Sequence, residues 1–233
     1  MGRSPLFRDR PLFRDRNDAG AQLAARLLAY ADQDAIVLGL PRGGVPVAYE
    51  VAQALNAPLE ICMVRKLGVP GQKELAMGAI AANVRYLNPT VVERCQVSDS
   101  AIAQVIAAES QELQRREREY RHQPPLGLRD RTVILVDDGL ATGATMVAAL
   151  GTVRYQLPKQ IVIAVPVAAR GISQRLAQEV DAVISVVAPE TMRAIGLWYM
   201  DFTQITDAEV QSLLRLARLE PGSAGHHGHS AKT

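Results

Sequence analysis

Cysteine is almost missing from this chain. Cys62 and Cys95 are the two present in 233 residues, one in an apolar stretch and one in a polar one, with no CxxC spacing. That leaves little support for redox or metal-cluster chemistry and fits a reduced, cytoplasmic protein. No apolar run approaches the ~18 residues of a membrane span, and no secretory leader is visible, so a membrane partner is not expected. Neither sign of charge dominates: 26 Lys and Arg face 24 Asp and Glu, a formal net charge of +2, which does not require a nucleic-acid partner. Aromatic residues make up only 4% of the chain, so its single Trp and three Phe are first candidates for the core. Two common phosphate loops are also missing, for there is no Gly-x-x-x-x-Gly-Lys-Ser/Thr and no Gly-x-Gly-x-x-Gly after a strand. With 48% hydrophobic residues, the chain can build one α/β domain with an elaboration, or two small domains.

The most informative stretch is Val133-Ile-Leu-Val-Asp-Asp-Gly-Leu-Ala-Thr-Gly-Ala-Thr145. Four β-prone apolar residues run into adjacent carboxylates, Asp137 and Asp138. A small loop follows (Gly139, Leu140, Ala141, Thr142, Gly143, Ala144, Thr145), and a helix is expected from Met146. Backbone N–H groups and the positive end of the helix dipole suit a phosphate there, with Thr142 and Thr145 hydroxyls adding donors. The two acids repel that phosphate and suit sugar hydroxyls or a hydrated Mg²⁺ instead. A second loop of similar logic, Pro41-Arg42-Gly43-Gly44, lies between an apolar strand at 35–40 and a helix marked by Val47, Ala48, Val51, Ala52 and Leu55. Its guanidinium can hold two phosphate oxygens at once.

The acidic string resembles the phosphoribosyl-pyrophosphate (PRPP) signature of the type I phosphoribosyltransferases, in the form closest to the adenine enzymes. The resemblance implies an α/β fold, a doubly wound parallel sheet with a small hood built from peripheral segments. It implies that Asp137 and Asp138 hold the ribose hydroxyls and that Ala141 to Thr145 hold the 5′-phosphate, with Gly139 and Leu140 counted in the same substrate-binding loop. It places Arg42, Gly43 and Gly44 on the pyrophosphate, with Mg²⁺ as cofactor, bound to Asp137 and Asp138 indirectly through substrate oxygens and water. Arg65 and Lys66 resemble the basic pair of the adenine enzymes and would also contact pyrophosphate. Both follow a strand read over 59–64, and Gly68, Pro70 and Gly71 suggest a mobile segment carrying Lys73 and Glu74. Hypoxanthine-guanine enzymes carry a third acid where Ala141 stands, which weakens a hypoxanthine or guanine acceptor.

Elsewhere the pattern alternates strands and helices, as a doubly wound sheet requires. Asn17 or Asp18 is expected to cap a first helix, and residues 76–82 and 84–87 to pair as a hairpin. A long helix is expected over about 100–120, its Glu and Arg pairs forming a solvated face. A strand at 161–165, a helix at 173–180 and a strand at 182–187 complete the core of about 35–187. The hood is expected over about 188–205, where Tyr199 could stack on a base and Asp201 accept its amino protons. The domain as a whole is read as 17–219. After Pro221, a tail with His226, His227 and His229 reads as disordered rather than as a zinc site. At the other end, Pro5-Leu-Phe-Arg-Asp-Arg10 is repeated at once as Pro11-Leu-Phe-Arg-Asp-Arg16. The second copy is expected to be structural, with its Phe-Arg-Asp-Arg either closing over the site or lying as surface charges.

These readings converge on transfer of a phosphoribosyl group from PRPP to a nitrogenous acceptor, with a nucleobase in view and a homodimer possible. A non-catalytic PRPP- or nucleotide-sensing regulator on the same fold is the alternative. Such a regulator should show a basic face. A hydrolase using Asp137 as nucleophile ranks last, since no acid-base partner is visible.

Overall fold

Every residue of 35–39 and 132–136 is apolar or small, and both stretches are buried along their whole length, the signature of central parallel strands covered on two sides. The computed structural model describes residues 11–31, 33–81, 84–120 and 126–219. Five parallel strands form its main sheet: β1 (Ala35–Gly39), β2 (Leu59–Ile61), β6 (Thr132–Val136), β7 (Gln160–Val167) and β8 (Ala182–Val187), in the order β2-β1-β6-β7-β8. β1 and β6 run in register from Ala35 opposite Thr132 to Gly39 opposite Val136, so their carboxyl ends finish side by side. The order reverses direction there, where open α/β sheets bind ligands. This is the expected doubly wound architecture.

Alternation along the strands divides the core into two layers. Val37, Ile134, Val136 and Val162 pack with α1 (Arg16–Leu27), α2 (Gly44–Leu55) and α7 (Asp207–Leu219). Ile36, Leu38, Leu135 and Ile163 pack with α5 (Ala144–Arg154) and α6 (Arg170–Leu176). A second sheet of antiparallel strands β3 (Arg65–Val69), β4 (Gln72–Ala81) and β5 (Val84–Leu87) is accompanied by α3 (Pro89–Arg94) and α4 (Asp99–Tyr120).

Several boundaries differ from the sequence reading. The first helix is capped by Asp15, whose carboxylate accepts the Asp18 amide, rather than by Asn17 or Asp18. The helix read over 173–180 is α6, which starts three residues earlier and ends four earlier. Residues 65–69, read as a strand end and the start of a mobile segment, form β3 and turn at Pro70-Gly71 into β4. Gly71 lies at φ 79°, so it supplies the left-handed position of that tight turn. The hairpin expected over 76–87 is present, but as the outer two-thirds of a three-stranded sheet. The first hexapeptide and the histidine tail lie outside the described residues. No helix among those described is long and apolar enough to cross a membrane.

Candidate functional site

Two strand-to-helix loops meet at the carboxyl edge of the sheet. The first runs from β1 through Pro41, Arg42 and Gly43 into α2, with a cis peptide between Pro41 and Arg42. Its first residue is stitched to the neighbouring strand, Leu40 N–H donating to the Val136 carbonyl at 2.9 Å. Both glycines are required by close approach. A Cβ on Gly44 would lie 2.7 Å from the Val136 carbonyl oxygen and 2.8 Å from Asp137 Cα, while one on Gly43 would collide with the Asp138 carboxylate. The loop expected to hold pyrophosphate therefore rests directly on the acidic pair. Gly44 and Val45 N–H groups bond within the loop, to Leu40 and Arg42 carbonyls, and are committed there rather than to a ligand.

The second loop carries Asp137 and Asp138 from the end of β6 toward α5. Asp137 Oδ1 accepts the Asp138 N–H at 2.9 Å, which folds the pair into a tight turn. Burial, and then the neighbouring Asp138 charge, push the Asp137 carboxyl well above the usual carboxylate range. Burial also raises Asp138, against the opposing pull of the Arg16 guanidinium. Beyond them Gly143, at φ 74°, caps the start of α5, and exposed Thr142 and Thr145 flank it. Leu140 departs from its expected role. Its N–H donates to Val167 and its carbonyl accepts from Ala169, at 2.8 and 2.9 Å, while its side chain is buried, so it pins the loop to β7 instead of contacting phosphate. Gly139 likewise makes room for Ile195, with only 2.6 Å left for a Cβ.

A third segment closes the site from the side. Residues 12–14 run beside 198–201, with Phe13 N–H on the Trp198 carbonyl and Met200 N–H on the Phe13 carbonyl, at 2.9 and 2.8 Å. Phe13, Tyr199 and Phe202 form an aromatic row with centroids 5.2 and 4.9 Å apart. Tyr199 is buried in that row, and its hydroxyl donates to the Asp138 carbonyl at 2.6 Å. Its ring therefore has no open face for a base, which corrects the stacking role expected of it. Arg16, only 8% exposed, places Nε and Nη2 each 2.9 Å from Asp138 Oδ2 and donates Nη1 to the Thr203 carbonyl. Its guanidinium lies 3.9 Å from the Phe202 ring centroid. The second hexapeptide does both things open to it: Arg16 closes on the acidic pair, while Arg14 and Asp15 lie as an exposed ion pair at 3.5 Å. What the sequence did not reveal is that Arg16 reaches Asp138, a partner 122 positions away.

The other expected cations are placed differently. Arg65, at the start of β3, is paired with Glu109 of α4 through Nε and Nη2 at 2.7 and 2.6 Å, a partner the sequence reading did not give it. Lys66 points to the opposite face of that strand, as the pleat demands. Lys73 lies exposed near the β3–β4 turn. Asp201 accepts both Thr203 donors and lines a cavity of about 380 Å³ with Arg16, Pro46, Thr203 and Glu209. This cavity adjoins the acidic pair through Arg16, on the side where the hood was expected. Among the described residues, no three His, Cys, Asp or Glu side chains gather as a metal cage. Two carboxylates, one of them already shared with Arg16, fit a cation that brings most of its oxygens with it, as Mg²⁺ does on phosphate groups.

Comparison with known proteins agrees with this geometry. Residues 14–191 match the family model described as a phosphoribosyl transferase domain. Two proteins from Mycobacterium tuberculosis strains CDC 1551 / Oshkosh and H37Rv, provisionally named as phosphoribosyl transferases, are each 45% identical over 216 residues. Those matches cover 92% of this chain but 49% of each relative, so the chain spans about half their length. A crystal structure of a Thermus thermophilus protein superposes with a TM-score of 0.78 at 40% identity, covering 87% of this chain and 97% of that one.

Proposed function

Since the chain belongs to the phosphoribosyl transferase domain family, we propose that it moves the 5-phosphoribosyl group of PRPP to a nitrogenous acceptor, a nucleobase, and releases pyrophosphate. One observation carries this reading: Gly43 and Gly44 of one anion loop lie against the Asp137–Asp138 pair of the other, with no room for a single methyl group between them. A ligand that fills both loops must present an anionic group and a polyhydroxyl group a few ångströms apart. PRPP has that shape, with pyrophosphate on C1 of a ribose whose 2- and 3-hydroxyls lie alongside.

In this reading the ribose hydroxyls donate to Asp137 and Asp138. The 5′-phosphate sits at the N-terminus of α5 among Ala141 to Thr145, where partial positive charge collects. Leu140 serves that loop from behind. Departure of pyrophosphate leaves an oxocarbenium-like carbon, while negative charge grows on the leaving oxygens. Arg42 faces that growing charge together with the positive end of the α2 dipole, whose Gly44 and Val45 N–H groups stay bonded within the loop, and Lys66 is the second cation of the set. Arg65 joins them only if it exchanges Glu109 for the leaving group. Mg²⁺ on the pyrophosphate oxygens would add positive charge to the leaving group, with Asp137 and Asp138 reaching it through water. The aromatic row and the 12–16 segment shield one flank from solvent, which protects the reactive carbon from hydrolysis. Acceptor binding belongs to the cavity beside Arg16, and Asp201 keeps its expected place there as an acceptor of amino protons.

The test is pyrophosphate release from PRPP and Mg²⁺ against a panel of purine and pyrimidine bases, with Asp137→Asn/Asp138→Asn as control. Base-dependent release that disappears in the double variant is expected. Tight PRPP binding without release for any base would favour a sensing role on the same fold.

A further inference from the structure

We propose that Arg16 is a positioning residue of the PRPP site: it grips one carboxylate oxygen of Asp138 and so aims the other at a ribose hydroxyl. The assignment rests on the PRPP reading above. It makes the N-terminal segment 12–16 a working part of the site, joined to a carboxylate far along the chain.

The geometry restrains Asp138 from every side that the described residues supply. Arg16 Nε and Nη2 both end on Oδ2, each at 2.9 Å, which leaves Oδ1 to accept from a ligand. Gly43 backs the same Oδ2 so closely that a methyl group would not fit. The Asp138 backbone is held at both ends, its N–H on Asp137 Oδ1 and its carbonyl under the Tyr199 hydroxyl. Arg16 is itself immobilised by the Thr203 carbonyl and the Phe202 face. A planar guanidinium is suited to this because its N–H groups diverge at fixed angles toward two acceptors. Preorganisation of this kind lowers the ordering cost of binding a flexible sugar phosphate. A clamp whose only purpose is to anchor the N-terminus would not need to end on a ribose-binding carboxylate. The Phe13–Tyr199 packing and the backbone bonds at 12–14 already provide that anchor.

The experiment is titration calorimetry of Mg²⁺-PRPP and, separately, Mg²⁺-pyrophosphate, on wild type, Arg16→Met, Arg16→Lys, Asp138→Asn and the Arg16→Met/Asp138→Asn pair. Arg16→Met is expected to weaken PRPP binding roughly tenfold or more, because truncation leaves a buried charge unpaired. Pyrophosphate, which lacks the ribose, should keep its affinity. Arg16→Lys, which keeps the charge but not the fork, should fall between the two. In the Asp138→Asn background the Met change should add little, since its partner is already altered. Equal losses for PRPP and pyrophosphate, or fully additive losses in the pair, would make Arg16 a structural clamp and overturn the assignment. Should Arg16→Met fail to fold, the Lys variant carries the same comparison. Wild-type protein that does not bind PRPP at all would remove the PRPP reading, and this assignment with it. PRPP affinity unchanged in Arg16→Met would remove only this assignment.

Discussion

Asp137 shows at the scale of one residue how this site trades stability for chemistry. It is buried beside a second carboxylate, and both effects push its proton affinity up, so ionising it in the unliganded protein is costly. Asparagine preserves the shape and the oxygen that accepts the Asp138 N–H, and it removes the repulsion. Asp137→Asn is therefore expected to raise the unfolding temperature of the unliganded protein by about 2–4 °C, corresponding to roughly 1 kcal/mol. The same variant should lose PRPP binding, and thermal scans with and without PRPP and Mg²⁺ read both effects. An Asn variant that melts lower than wild type at neutral pH would mean that the pair is not strained. Much at this scale was legible beforehand. The adjacent acids, the Gly43-Gly44 pair and the Thr-Gly loop stand out as candidates through residue type and spacing alone, and the structure brings the glycine pair against the acids. Leu140 and Tyr199 did not, because a backbone bond to β7 and a hydroxyl on a carbonyl leave no trace in composition.

At the scale of elements, the strand-loop-helix units that carry both loops follow from local pattern, since uninterrupted apolar strands followed by glycine and a helical period have few other solutions. The β3–β4–β5 sheet was only half visible. Arg65 and Lys66 sit in a stretch dense in glycine and charge, which reads as a loop until Leu67 and Val69 are seen packed against α4. α7 is the clearest case of an element whose face is set by its partners. Val210 and Leu214 are buried against the layer formed with α2, while Leu216 and Leu219 remain exposed. Leu214→Ala is expected to cost about 2–4 kcal/mol, visible in denaturant unfolding at constant slope. A loss below about 0.5 kcal/mol would show that α7 is an appendage rather than part of the core, since surface changes usually stay within that range.

At the scale of the molecule, the candidate site is assembled where three distant segments converge on Asp138: the arm at 12–16, the loop at 41–44 and the segment at 198–203. Phe13, fully buried, joins the first of these to the third. Phe13→Ala is expected to destabilise the fold by about 3–5 kcal/mol. In the molecules that remain folded, the arm should be released. Limited proteolysis should then cut between residues 11 and 16 faster than in wild type, and PRPP affinity should fall as it does on loss of Arg16. Rapid cleavage with unchanged PRPP affinity would separate the arm from the site.

What the chain settles by itself is local: which stretches are strand, which are helix, and where glycine loops and paired acids stand as a candidate site. Those properties depend on side chains within a few residues of one another, and hydrophobic period and loop chemistry record them directly. The tertiary structure alone decided that Arg16 meets Asp138, that Arg65 turns to Glu109 and that Tyr199 is enclosed. Each of these depends on how separate elements pack in space. Nothing in a guanidinium's own neighbours specifies which of 24 acidic residues it will reach.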